Sequence, residues 1–247
     1  MIKERAQKWV RSKKCYAYLT VGTLLAFSLG GWIGSKILLP VLMTVVIYPV
    51  YALDLWKGKR TLAVLHTLFW AFVSSVFMIL FVRYDETRMA KVVFKGIDYR
   101  DEMFQWILTG AGAEGNIKLF LPQHFKHFLI FCVSSFVTAG VWGLAFGAIL
   151  LNYMNFYVAS LSLHAHHPLI IYLFGWPVWA LFRVVGFVLC GVALSEPLLS
   201  QLLRFRSDTK KCYQFFFWGL AFILADILLK VNLAPPWREM LRHAVSL

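Results

Sequence analysis

Uncharged apolar runs alternate with polar breaks along most of this chain. Residues 16–33 and 37–53 hold no Lys, Arg, Asp or Glu, and only Gly34-Ser35-Lys36 separates them. Residues 61–82 form a third such run, and after a long polar interval residues 128–151, 169–194 (with Arg183 inside) and 213–229 (with Asp226 inside) repeat the pattern. A hydrocarbon core of about 30 Å takes roughly 20 apolar residues as helix. Lipid offers no partner for backbone groups, so a spanning segment must satisfy them internally. The pattern predicts an all-α fold: a polytopic transmembrane helical bundle of six spans, the first two joined as a tight hairpin.

The breaks organise a single transmembrane domain over residues 1–247. A basic N-terminal segment (1–14) precedes three spans within 16–82. An amphipathic segment (83–127) follows, then the remaining spans within 128–232 and an interfacial tail (233–247). Between Asp85 and Leu108, scattered apolar positions such as Met89, Val92, Met103, Trp106 and Ile107 predict one or two surface helices interrupted at Gly96. Ala234-Pro235-Pro236 is expected to end the last span, since proline removes a backbone donor and clashes with the preceding turn. Trp237, Met240, Leu241 and Val245 then describe a short interfacial helix. The N-terminus resembles a signal peptide, but its apolar stretch is too long and no small-residue cleavage site follows, so it reads as a retained anchor.

Lys and Arg placement sets orientation. Lys3, Arg5, Lys8, Arg11, Lys13 and Lys14 precede the first span, and Lys57, Lys59 and Arg60 follow the second, against Lys36 alone in the hairpin turn. The positive-inside rule therefore places the N-terminus in the cytoplasm and the 83–127 segment outside. A bacterial inner membrane is the expected location. Six spans leave Arg204, Arg206, Lys210 and Lys211 outside, against the rule. The alternative is a seventh span over 147–163, which brings them inside. It is favoured by an echo of Lys13-Lys14-Cys15-Tyr16 in Lys210-Lys211-Cys212-Tyr213. Against it stand Asn152, Asn155 and the sharp turn it would need within the wholly apolar 140–147 stretch, so six is retained.

Composition changes this picture in one respect. At 60% hydrophobic and 15% charged, with a mean hydropathy of +0.68, the chain is far from a soluble domain. The net charge of +13 is the kind of excess that marks nucleic-acid binders. Here the basic residues concentrate beside the spans, where they serve as topology signals and contacts for anionic headgroups of the bilayer. No basic groove with stacking aromatics remains for a nucleic acid. Gly110, Gly112 and Gly115 match the dinucleotide-binding glycine spacing, but no strand precedes them and no βαβ unit exists, so they read as a flexible turn. The four cysteines form no CxxC pair and no disulfide framework.

Three groups of residues carry candidate chemistry. Arg183 lies about mid-span, where an arginine is costly and needs a partner or a wet cavity. Asp226 is the acid expected to pair with it, while Lys230, four residues on, competes for that acid along the same helix. Seven histidines occur, of which His66, His124, His127, His164, His166 and His167 fall in or near spans three to five. Imidazole ligates metals and haem, so a haem joining His66 to one of His164–His167 is a candidate, although no cofactor is the primary expectation. Asn152 and Asn155, one helical turn apart, either bond neighbouring helices or line a polar vestibule.

No nucleotide-binding loop, HExxH or GxSxG occurs, and no segment identifies a reaction. The leading expectation is a non-catalytic subunit or accessory protein of a larger membrane assembly, with protein partners in the bilayer. The first alternative is a small transporter or channel with Arg183 and Asp226 in its pathway. The second is a haem- or metal-binding membrane enzyme built on the histidines.

Overall fold

The computed structural model describes residues 13–246, so most of the basic N-terminal segment lies outside the described residues. The described chain is helical, with one isolated antiparallel bridge between Ala165 and Val245. Its helices are α1 (Lys13–Ile33), α2 (Leu38–Trp56), α3 (Arg60–Tyr84), α4 (Glu86–Val92), α5 (Gly96–Thr109), α6 (Ile117–Val137), α7 (Val141–Leu163), α8 (Pro168–Phe174), α9 (Val178–Leu202) and α10 (Thr209–Ala244). A 3₁₀ turn, Ala113–Gly115, lies between α5 and α6. Six of these helices, α1, α2, α3, α7, α9 and α10, are long and apolar enough to cross a bilayer. This is the architecture of a multi-pass membrane protein.

The fourth predicted span is broken. Residues 128–151 divide at Thr138–Gly140, where α6 ends and α7 begins in the opposite direction. Thr138 accepts a hydrogen bond from Trp142 N, and Ala139 and Gly140 both take positive φ. At Gly140 (φ +92°) a Cβ would lie 2.6 Å from Ser195 Oγ, so the turn requires glycine for both conformation and space. Thr138 is the turn's one polar side chain, and Ala139 and Gly140 are buried in protein rather than facing lipid.

Contacts fix the directions. The start of α7 lies against Tyr51 and Ser195, and Phe156, farther along, lies against Gly96. Helix α6 runs the other way, from Phe120 under the Lys230 ammonium to Phe131 against Phe187 and Gly191. Seven antiparallel helices therefore traverse the depth of the bundle, although α6, with Lys118, Gln123, His124, Lys126 and His127, is less apolar than the rest. The turn also places residues 203–211 at the same end as 57–60, through the Arg60–Glu196 ion pair and the bonds of Ser207 and Asp208 to Glu196. We call this the basic end. The far end carries α4, α5, α8 and the end of α10.

At the far end, α4 and α5 occupy the predicted surface stretch. Asp85 caps α4 by accepting from Arg88 N, and the chain turns at Lys95 in a left-handed conformation. Met103, Trp106 and Ile107 are buried against Tyr157, Leu161 and Leu241, so the apolar face of α5 closes the bundle rather than facing lipid. The predicted stop at Pro235-Pro236 does not occur: α10 continues to Ala244. Contacts to neighbouring elements hold the segment after the prolines in place. Arg238 donates to Trp106 O and Leu108 O (both 2.9 Å), and Trp237 packs edge-on to Trp179.

A central core of α1, α2, α3 and α7 side chains, including Leu19, Phe27, Met43, Ile47, Met78 and Phe156, holds the first half together. Helices α9 and α10 pack closely through Gly186 and Gly219, whose carbonyl and Cα approach leave no room for a Cβ.

Candidate ligand cavity between two charged clusters

The predicted 169–194 span is also broken. Pro177 is extended (ψ 142°), so α9 starts at Val178 and Arg183 lies in its second turn, near the far end rather than mid-span. Arg183 nevertheless reaches α10: its Nε and Nη2 donate to the two carboxylate oxygens of Asp226 at 2.9 and 3.0 Å, a bidentate pair in which Asp226 is fully buried. Such a fork fixes both helices' rotation as well as neutralising the charge. Lys230 does not share this acid. It points to Glu114 (2.8 Å) and lies 4.3 Å from the Phe120 ring centroid.

Glu114 was hidden within the glycine-rich turn. The strap 110–116 folds back over the bundle and inserts this carboxylate between α9 and α10, where Trp179 Nε1 also donates to it at 3.2 Å. Burial raises its pKa, but the cations of Lys230 and Arg183 outweigh that, and the carboxyl sits below its usual range. His124 completes the group: Nδ1 meets Phe120 O at 3.0 Å and Nε2 lies 3.8 Å from Asp226 Oδ2.

A second cluster occupies the basic end. His66 Nδ1 lies 2.7 Å from Asp54 Oδ2, with both side chains fully buried and the Tyr16 ring edge-on to the imidazole. Arg60 pairs with Glu196, which also accepts from Ser207 Oγ at 2.9 Å. Next to them Tyr51 donates to Ser195 Oγ at 3.0 Å. Asp54 Oδ1, His66 Nε2 and Glu196 Oε2 have no hydrogen-bond partner among the described residues. Cys15 and Cys212 are buried at this same end.

Between the two clusters is a cavity of about 170 Å³, walled by α2, α3, α6, α7, α9 and α10. Arg183, Asp226, His124 and His127 stand at its far end; Tyr51, Thr67, Trp70 and Gly140 stand toward the basic end. Leu144, Leu151, Phe131, Phe187 and Ile223 make the wall between them apolar. Leu121 and Phe125, 39% and 66% exposed, also line it, so the cavity reaches the outer surface of the bundle.

Other predicted site residues are placed elsewhere. Asn152 and Asn155 form no vestibule: neither lines the cavity, and both are buried in helix contacts. Asn155 Oδ1 accepts from Ser75 Oγ (3.0 Å) and Trp176 Nε1 (2.9 Å), while Asn152 Nδ2 meets Met43 Sδ. The histidines do not converge. His66 lies at the basic end and His164, His166 and His167 at the far end, because the turn at Gly140 inverts the side on which α7 finishes. The structure therefore does not bring His66 together with His164, His166 or His167, the pairing on which a haem bridge between them would rest. His164 packs on Phe104 and His166 meets Ser246. Among the described residues no three His, Cys, Asp or Glu side chains are gathered as a metal site.

Comparison with protein-family models, curated proteins and solved structures finds no match.

Proposed function

We propose that this multi-pass protein is a small transporter of an amphipathic, bilayer-soluble molecule. The observation that supports this reading is the apolar cavity enclosed between two buried charged clusters. A cavity of about 150 Å³ lined by aliphatic and aromatic groups accepts a benzene-sized guest. The cavity therefore suits one ring or a short length of alkyl chain, with the substrate's polar end at Arg183, His124 and His127. The opening at Leu121 and Phe125 gives access sideways from the bilayer. The ion pairs at either end act as locks: Arg183–Asp226 and Lys230–Glu114 on one side, Arg60–Glu196 and Asp54–His66 on the other. Alternating access requires that one lock opens while the other holds.

The same reading assigns sidedness. Lys57, Lys59, Arg60, Arg204, Arg206, Lys210 and Lys211 share one end, which we take as the cytoplasmic face of a cell membrane by the positive-inside rule. The C-terminus is then outside.

Mass spectrometry of the protein released from mild detergent tests the binding step. A bound amphiphile of defined mass is expected in the wild type and is expected to be lost from Gly147→Leu. Gly147 lines the cavity, and a Cβ there makes only ordinary contact with Phe131 (3.7 Å). Reconstituted vesicles loaded with that amphiphile then test transport. Bound amphiphile in equal amount in both proteins would sink the assignment.

A further inference from the structure

We propose that the outward face of α6 seats a transmembrane helix of a different protein, and that this helix carries a carboxylate near mid-depth. The observation is Lys126. Among the described residues it is the one exposed charged side chain on a bundle-crossing helix more than two turns from either end, and it makes no ion pair. A cation facing hydrocarbon there is costly, and intramembrane charges ordinarily face protein and a partner of opposite sign.

Its surroundings have the form of a helix seat. Leu119 (55% exposed), Gln123, Lys126, Ile130 (41%), Val133 (53%) and Val137 (59%) recur every three or four residues along α6. That is one stripe running the length of the helix, the spacing at which a second helix packs lengthwise. A single polar position within an apolar seam fixes partner and register. Gln123 adds a side chain able to bond across the same interface.

A second copy of this chain does not supply the acid. The carboxylates on the crossing segments, Asp54, Glu196 and Asp226, are fully buried and already paired within the chain. Twofold packing through this stripe would instead bring two Lys126 side chains together. The occupant is thus a separate membrane protein, independent of whatever fills the cavity.

The test is site-specific photo-crosslinking of the full chain in its native membrane, with the crosslinking residue at Gln123 or Ile130 and, as control, at Phe72 on α3 (65% exposed). One adduct of fixed mass is expected from α6 and none from Phe72, and the captured protein must have an Asp or Glu inside a transmembrane segment. Lys126→Leu should lower the adduct at least tenfold, Lys126→Arg should retain it, and Lys126→Glu combined with Lys at the partner's acid should restore it. Were Lys126→Leu to fold poorly, replacing the partner's acid by its amide gives the same reading on the wild-type chain. Four results would overturn the proposal: adducts to lipid only, as from a lysine that reaches the headgroups; an adduct between two copies; a partner without an intramembrane acid; or an adduct that ignores Lys126→Leu.

Discussion

Glu114→Gln isolates the contribution of the strap that closes the far end. The substitution keeps the shape of the side chain but removes the charge 2.8 Å from a Lys230 ammonium that is 1% exposed. Stranding one member of a buried pair costs about 3–5 kcal/mol. The Phe120 ring at 4.3 Å returns part of this, since a cation–π contact is worth about 0.5–2 kcal/mol. A net loss of roughly 2–4 kcal/mol follows, which for a chain of this size lowers Tm by roughly 5–15 °C. Lys230→Met should cost less, because the remaining Glu114 is 13% exposed and retains the Trp179 N–H. The double variant should lose no more than Lys230→Met alone, since no charge is then left without a partner. Thermal unfolding of the four proteins in detergent gives the coupling energy, the two single losses less that of the double variant, expected at about 2–4 kcal/mol. Additive effects, with coupling under about 0.5 kcal/mol, would refute the latch.

The same pair has a pH signature. The folded Glu114 carboxyl titrates below its unfolded value, so its stabilisation is complete above about pH 4.3 and is lost as pH falls through the lower folded value. Glu114→Gln should abolish that part of the acid transition and leave the range above it flat.

Sidedness of the α6–α7 turn is open to labelling: in a cysteine-free background, Thr138→Cys, Lys59→Cys and Lys210→Cys should react with an impermeant maleimide from one side, and His166→Cys from the other. Labelling of 138 and 166 from one side would restore the six-span reading. Gly140→Ala should destabilise by more than about 1 kcal/mol, through positive φ and the 2.6 Å approach to Ser195 Oγ; an unchanged Tm would show that the turn can relax. Arg183→Leu leaves the fully buried Asp226 unpaired and should cost about 3–5 kcal/mol, with Asp226→Leu added in cis recovering most of it; failure of that recovery would mean the pair does not act as a unit.

Much of the site was visible as residue types but not as an arrangement. Arg183 and Asp226 stand out because charges within apolar runs need a reason, and they do meet. Lys230 is legible only through its spacing, four residues after Asp226, and its partner sits in a glycine-rich turn whose pattern carries no sign of burial. Arg60 and Glu196 lie at the ends of their runs, where charge is unremarkable, and only folding brings them together from positions far apart in the chain. The histidines form a group in sequence because they cluster around spans four and five, and the tertiary fold disperses them to both ends.

Hydropathy alone determined that the chain is a bundle of apolar helices, and roughly where most of them begin and end. Lipid enforces that outcome locally, since each spanning segment must satisfy its own backbone. Helix direction is a different matter. Whether residues 128–163 make one crossing or two depends on a short turn at Thr138–Gly140, against which Ser195 and Tyr51 pack. Three hydroxyl side chains, Ser134, Ser135 and Thr138, are a faint mark in a run that is otherwise apolar, and hydropathy does not resolve a turn from them. By inverting α7, the turn gathers the basic loops at one end, separates His66 from the later histidines, and opens the cavity between the two charged clusters.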